Sequence, residues 1–207
     1  MKWKSVAYVL TPIAVAVVAA AAFYGTKTEG GKGACPAASA AIAEKLRPLA
    51  KGDLAALAVD KRPRPASDVS FAGMQGQKLK LADFKGRAIL LNLWATWCEP
   101  CRAEMPTLDK LQAEAGGPKF EVVTVNVDTA RVERAPKFLD DIGVKHLNRY
   151  ADHTGDVFET LRLAGKALGL PTSLLIDADG CEIGVVAGPA DWASPEALAA
   201  VKVLQGG

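Results

Sequence analysis

Between residues 87 and 127 the apolar positions fall in two dense runs with a helical rhythm between them. RAILLNLWAT (87–96) and FEVVTVNV (120–127) are nearly continuous apolar stretches. That is the pattern of strands buried on both faces of a parallel sheet. In CRAEMPTLDKLQAEA, Met105, Leu108 and Leu111 recur every third residue, which predicts a helix with a kink at Pro106. RVERAPKFLDDIG (131–143) reads as an amphipathic helix and TGDVFETLRL (154–163) as another helix. VSFAGMQGQKLKLADF (69–84) predicts two short strands across a glycine-containing turn, and TSLLIDADGCEIGVVAG (172–188) a strand pair turning at Asp179-Gly180. SPEALAAVKVL (194–204) closes the chain as a helix, with Ser194 as N-cap, Pro195 at its first position and Glu196 in the first turn. Strand and helix alternating before a hairpin and a last helix predict an α/β sheet covered on both faces.

The N-terminal third is patterned differently. Lys2 and Lys4 precede a charge-free apolar run from Val6 to Gly25. At 1.5 Å per residue such a run spans roughly 30 Å, one hydrocarbon core. Residues 1–5 are therefore expected in the cytoplasm and 6–25 as a single transmembrane anchor in the inner (cytoplasmic) membrane. A cleaved signal peptide competes with this reading, but the run exceeds the usual 7–15 residues of a signal core. Either way, the rest of the chain is expected in the periplasm, where disulfides persist. TKTEGGKG makes 26–34 a flexible tether. CPAASAAIAEKLRPLAKGDLAALAV (35–59) reads as one or two short helices broken at Pro48 and Gly52, with KRPRPAS as a connector.

Composition narrows the function classes. The 207 residues are 50% apolar, with 25 basic against 23 acidic side chains and a net charge of +2. That supplies one sizeable core and no nucleic-acid footprint. No phosphate-binding glycine loop is present.

The chemistry concentrates at WATWCEPCRAEMP (94–106), where Cys98 and Cys101 are separated by Glu99 and Pro100. The thiolate is the reactive form of cysteine. A pair at the junction of a buried strand and a helix lies where free backbone N–H groups and the helix dipole favour an anion. Pro100 lacks an N–H and suits a first turn. Trp97 and Pro100 give the exposed sulfur an apolar rim. In such a pair Cys98 attacks a partner disulfide, and Cys101, shielded behind it, resolves the mixed disulfide. A zinc site needs four ligands, and only His146 and His153 could join the pair, both in polar segments. No metal and no cofactor are expected.

ILLNLWATWCEPCRAEMP together with GLPTSLLIDADG resembles the thioredoxin-fold family, and more narrowly its TlpA/ResA/CcmG group of membrane-anchored extracytoplasmic thiol:disulfide oxidoreductases. The likeness covers roughly residues 66–204 and is strongest to the TlpA members, through the anchor, GCEI, AGPADWAS and the early cysteine. It implies a thioredoxin-like domain over 66–207. The domain is a central mixed sheet flanked by helices, with an N-terminal strand pair, an inserted helix and an N-terminal helical extension over 35–65. The resemblance also implies that Leu170-Pro171 is a cis peptide facing the cysteine pair and offering backbone hydrogen bonds to a substrate strand. Glu104 and Glu99 match glutamates at or near the pair in ResA-like proteins. Their plain alternative is solvated helix charge. A carboxylate close to the pair disfavours the thiolate and shifts the protein toward reductant. Cytoplasmic thioredoxins carry a buried aspartate six residues before the first cysteine; here that position is Asn92, and Glu104 is the natural substitute.

Four cysteines allow three pairings. Assigning 98–101 to redox work leaves Cys35 and Cys181, and the TlpA resemblance, in which matching cysteines occur, supports a structural bridge between them. Two independent thiols are the alternative.

The group's work implies a dithiol reductant whose substrates are apocytochrome c, the copper-site cysteines of a cytochrome oxidase subunit, or its copper chaperone. Electrons would come from a membrane thiol transporter of the DsbD/CcdA kind, and the anchor would contact lipid. A metal-binding or metallochaperone module and a dithiol oxidant of the same fold are the alternatives. Against the former, a Sco-type chaperone uses a CxxxC pair and a downstream histidine, which this chain lacks.

Overall fold

The computed structural model describes residues 34–206. Their framework is an eight-stranded mixed sheet in the order β1-β8-β7-β4-β5-β6-β2-β3. The two dense apolar runs are β4 (Ala88–Trp94) and β5 (Phe120–Asn126), parallel neighbours in which every residue is buried. β6 (Asn148–Ala151) continues the parallel set, and β7 (Thr172–Ile176) pairs antiparallel with β4 on the other side. β2 (Ser70–Ala72) and β3 (Lys78–Lys80) form the expected short hairpin beyond β6. β8 (Cys181–Ala187) returns from β7 through the Asp179-Gly180 turn, where Gly180 takes φ 81°. Such a positive φ is open to glycine at no steric cost.

The helices follow the periodicities. α1 (Ala37–Leu46) precedes β1 (Leu57–Pro65), α2 (Glu99–Ala115) links β4 to β5, and α3 (Arg134–Asp141) links β5 to β6. α4 (Asp156–Leu163) leads toward β7, and α5 (Pro195–Leu204) ends the fold. The Ser194 hydroxyl caps α5 by accepting from Ala197 N–H at 3.2 Å. α2 runs unbroken through Pro106 with Met105, Leu108 and Leu111 fully buried on its inner face. Burial of each such side chain contributes about 1.5–3 kcal/mol.

The N-terminal extension departs from expectation. Residues 57–65, read as a helix end and a connector, form β1, an edge strand antiparallel to β8. The reason lies in the partner strand. Gly184 has no side chain, and a Cβ there would stand 2.9 Å from the Ala58 carbonyl oxygen, so glycine is what lets β1 approach. The Cys35–Cys181 disulfide, with Cα atoms 6.0 Å apart, then fastens the segment preceding α1 to the start of β8. Beside it the Ser39 hydroxyl donates to Asp177 Oδ2 at 2.5 Å, and Asp177 Oδ1 accepts from Cys181 N–H at 2.9 Å.

The expectation of a single-pass inner-membrane protein with its catalytic part in the periplasm is corrected. Among the described residues no helix is long and apolar enough to cross a membrane. The longest, α2, has 17 residues and carries charges along its outer face. The apolar run 6–25, on which the anchor and its lipid contact rested, lies outside the described residues, as do the tail 1–5 and most of the tether.

Candidate active site

β4 ends at Trp94, and the chain turns through Ala95–Trp97 into α2. Cys98 is the N-cap of that helix, and Cys101 sits in its first turn. The two sulfurs form a disulfide, with Cα atoms 5.3 Å apart. Cys101 N–H points at Cys98 Sγ from 3.3 Å. A free helix-terminal donor aimed at sulfur stabilises a thiolate there when the bond is reduced. Cys98 is 6% exposed and Cys101 fully buried, so an incoming group reaches only the first sulfur. Trp97 is 72% exposed beside it, and Glu99 and Pro100 are solvent-exposed on the first turn.

The Leu170–Pro171 peptide is cis. Pro171 directly precedes β7, and Thr172 pairs with Leu93, so the proline loop and the cysteine turn share one edge of the sheet. The loop is held firmly. Thr172 Oγ1 donates to the Gly169 carbonyl at 2.7 Å, and the Pro171 carbonyl accepts from Gly188 N–H at 3.0 Å.

Glu104 lies one turn beyond Cys101, on the buried face of α2, and is 3% exposed. Oε1 accepts from Asn92 Nδ2 at 2.7 Å; Oε2 accepts from Ala190 N–H at 3.2 Å and Trp192 Nε1–H at 3.3 Å. Burial pushes its pKa from the ordinary 4.5 up to about 7, against the three donors, which pull it down. At neutral pH the carboxyl can therefore both hold and release a proton. Asn92 Nδ2 donates also to Ser173 Oγ at 2.9 Å, and Asn92 Oδ1 is buried without a partner among the described residues.

Three contributors escaped the sequence reading. Trp192, in AGPADWAS, carries no sequence mark of a role beside the pair, yet its indole N–H donates to Glu104 Oε2. Ser173 gave no signal beyond its place in an apolar strand. Asp128, 1% exposed, follows β5 and accepts from Thr96 N–H with both oxygens at 3.2 Å. It pins the turn leading to Cys98. The findable clue was its position at the carboxyl end of a buried parallel strand, where α/β sheets place functional groups. His153 is exposed, as its surface-loop setting implied, and its Nδ1 meets the Asp128 carbonyl at 2.9 Å.

A helix-capping CxxC disulfide sharing a sheet edge with a cis-proline loop, on a mixed sheet flanked by helices, defines a thiol:disulfide oxidoreductase of thioredoxin-like fold. The chain belongs to the Redoxin family, whose model matches residues 61–201. It is 32% identical over 133 residues to the thiol-disulfide oxidoreductase ResA of Bacillus thuringiensis, a match covering 60% of this chain and 69% of that one. A thioredoxin-like protein, YneN, of Bacillus subtilis is 51% identical over 65 residues, but that match covers only 38% of its length. Among solved structures, a thioredoxin-family thiol:disulfide interchange protein from Chlorobium tepidum superposes with a TM-score of 0.59 at 29% identity, over 70% of this chain and 99% of that one.

Proposed function

We propose that the chain is a dithiol reductant of disulfides in other proteins, with Cys98 as nucleophile and Cys101 as resolving thiol. The Cys98 thiolate attacks a partner disulfide, joins one partner sulfur and releases the other as a thiolate. Cys101 then gives up its proton and attacks Cys98 Sγ. The second partner sulfur leaves, and the Cys98–Cys101 disulfide remains. Two electrons pass to the partner, whose two thiolates take up two protons. In this reading Glu104, one turn along α2 from Cys101, receives the Cys101 proton. Glu99, Pro100 and Trp97 shape the approach to Cys98, and the Leu170-Pro171 loop offers backbone groups to the substrate chain.

The observation that carries the reductant direction is the buried Glu104 carboxyl on the inner face of the helix that Cys98 caps. Negative charge there disfavours a thiolate and so favours the disulfide form of the protein. A strong oxidant has the opposite arrangement, with its reduced form stabilised. The substrates that fit this reading are apocytochrome c and the copper-site cysteines of a cytochrome oxidase subunit or its copper chaperone. A dithiol donor reduces the Cys98–Cys101 disulfide by the same exchange chemistry, and a transporter of the DsbD/CcdA kind is the natural source.

The test is the reduction potential of the full chain equilibrated in thiol buffers and read by tryptophan fluorescence, with Cys98→Ser abolishing the transition. A value below about −200 mV is expected; one near −120 mV, that of a strong oxidant, overturns the direction. Trapping with Cys101→Ser, which halts at the mixed disulfide, then identifies the partners.

A further inference from the structure

Beside the cysteine pair a surface groove follows the seam between α2 and α3. Its larger basin, about 560 Å³, is walled by Trp97, Phe138 and Ile142 and crossed by Arg102. A smaller basin of about 240 Å³ shares Arg102 and Phe138 and is closed by Arg134 and Lys137. The Arg102 guanidinium lies 4.7 Å from the Phe138 ring centre. It forms the ridge between an apolar basin and a basic one. Stacking holds the guanidinium in place by its face and leaves its N–H edge open.

The charges around this ridge are not balanced among the described residues. Lys137 is paired with Asp141 at 2.7 Å, which removes both from the account. Among the described residues no carboxylate pairs with Arg102 or Arg134. The one remaining acid is Glu99, which lines the larger basin only and directly follows Cys98 in sequence. The groove is thus polar along its length, acidic next to the reactive sulfur and basic beyond the Arg102 ridge. Trp97 at 72% and Ile142 at 39% exposure offer apolar surface between.

We propose that the segment flanking the partner's cysteine lies in this groove, and that the groove selects an apolar side chain for the Trp97–Ile142 basin followed by an acidic residue for Arg102 and Arg134. This rests on the oxidoreductase reading above and adds the chemistry of the partner. A carboxylate beyond the ridge meets two unpaired guanidinium groups with bidentate geometry open to it. The same carboxylate nearer the cysteines meets Glu99, so the order of residues is selected along with their charge. Opposite charge at such a rim acts on association and register.

The experiment uses the full chain, reduced and freed of reductant, against three peptides of one sequence. Each has one internal disulfide and an apolar residue followed by Asp, Asn or Lys. At low ionic strength the Asp peptide is reduced roughly fivefold faster than the Lys peptide, the size expected of two rim ion pairs. The ratio shrinks toward one in about 0.5 M salt. In the Arg102→Gln/Arg134→Gln double variant the ratio collapses to about one; because it is taken within one variant, altered thiol reactivity cancels. A wild-type ratio at or below one, or a ratio that survives in the double variant, overturns the proposal. Affinity of the oxidised chain for the same peptides with their cysteines replaced by serine, read by tryptophan fluorescence, ranks the three without any redox step. The order Asp, Asn, Lys is expected, and any other order overturns the proposal. A wild-type dimer in sedimentation that the double variant lacks would give the groove to a second copy of the chain and also overturn it. Reduction of the small neutral hydroxyethyl disulfide by the wild type tests the oxidoreductase reading separately, since that molecule cannot engage the arginines.

Discussion

Asn92 Nδ2 donates to Glu104 Oε1 at 2.7 Å, while Asn92 Oδ1 is buried with no partner among the described residues. The amide thus presents its donor end to the carboxylate and leaves its acceptor end unused. A side-chain amide has one end of each kind. Asparagine at this place can therefore meet an ionised Glu104 with its nitrogen and a protonated one with its oxygen.

Glu104 makes stability depend on pH. Its folded pKa of about 7 lies above its ordinary 4.5, so the folded state holds the proton that the unfolded state has lost. The stabilisation is fully present below pH 4.5 and is lost as pH rises through 7. The shift corresponds to roughly 3 kcal/mol. Urea unfolding between about pH 4 and 8 should show wild type losing stability along this window. Glu104→Gln should lack that component of the slope.

Replacing Asn92 with Asp puts a second carboxyl against Glu104. Two carboxyls this close share one proton and titrate as a coupled pair. We expect Asn92→Asp to be destabilised by roughly 2–3 kcal/mol at pH 8, where both tend to ionise, and to recover most of that near pH 5. Thermal unfolding at the two pH values checks it; equal losses at both would show that packing, not charge, governs the position.

The Cys35–Cys181 bridge joins residues 146 apart in sequence. By loop entropy, such a closure is worth about 5 kcal/mol at most. Cys35→Ala/Cys181→Ala should lower unfolding stability by several kcal/mol in denaturant titration. The Cys98–Cys101 couple should keep its reduction potential, because the bridge lies among α1, β7 and β8, away from the cysteine turn.

Lys166 precedes the proline loop and bonds Glu182 Oε1 at 2.6 Å, with Asp60 Oδ2 at 3.6 Å. Glu182 is 4% exposed, so removing the lysine strands a buried carboxylate. Lys166→Met should cost about 2 kcal/mol after allowance for the partial exposure of the lysine. Lys166→Met/Glu182→Met should recover much of it. Chemical unfolding of the two single and one double variants gives the coupling directly.

What could be read from sequence was whatever local chemistry alone decides. β4 and β5 announce themselves because burial on both faces demands unbroken apolar runs, and Cys98 and Cys101 because their spacing spans one helical turn. β1 was hidden because an edge strand needs little apolar surface. Its KRPRP is set by the neighbour strand, through Gly184, rather than by its own pattern. β6, which is flanked by β5 and β2, was hidden for another reason: four residues of mixed polarity are too short to show a strand's alternation. Around Glu104 the sequence offered the acid but not its holders. Trp192 and Ala190 reach it from 88 and 86 positions away in the chain, and Ser173, 81 positions from Asn92, holds the asparagine that bonds it.

β1 leaves the fold with a particular kind of solubility. As the terminal strand of the sheet it covers β8, whose ladder would otherwise be an open template for other chains. Its own outer side contains Pro63 and Pro65, which have no N–H to offer and do not extend a sheet. A shortened chain beginning at 66 would keep Cys98, Glu104 and the proline loop yet lose this cover, and would tend to join others edge to edge into aggregates. The segment whose charged, proline-rich pattern gave the weakest signal of a strand is the one that keeps the sheet from growing beyond β8.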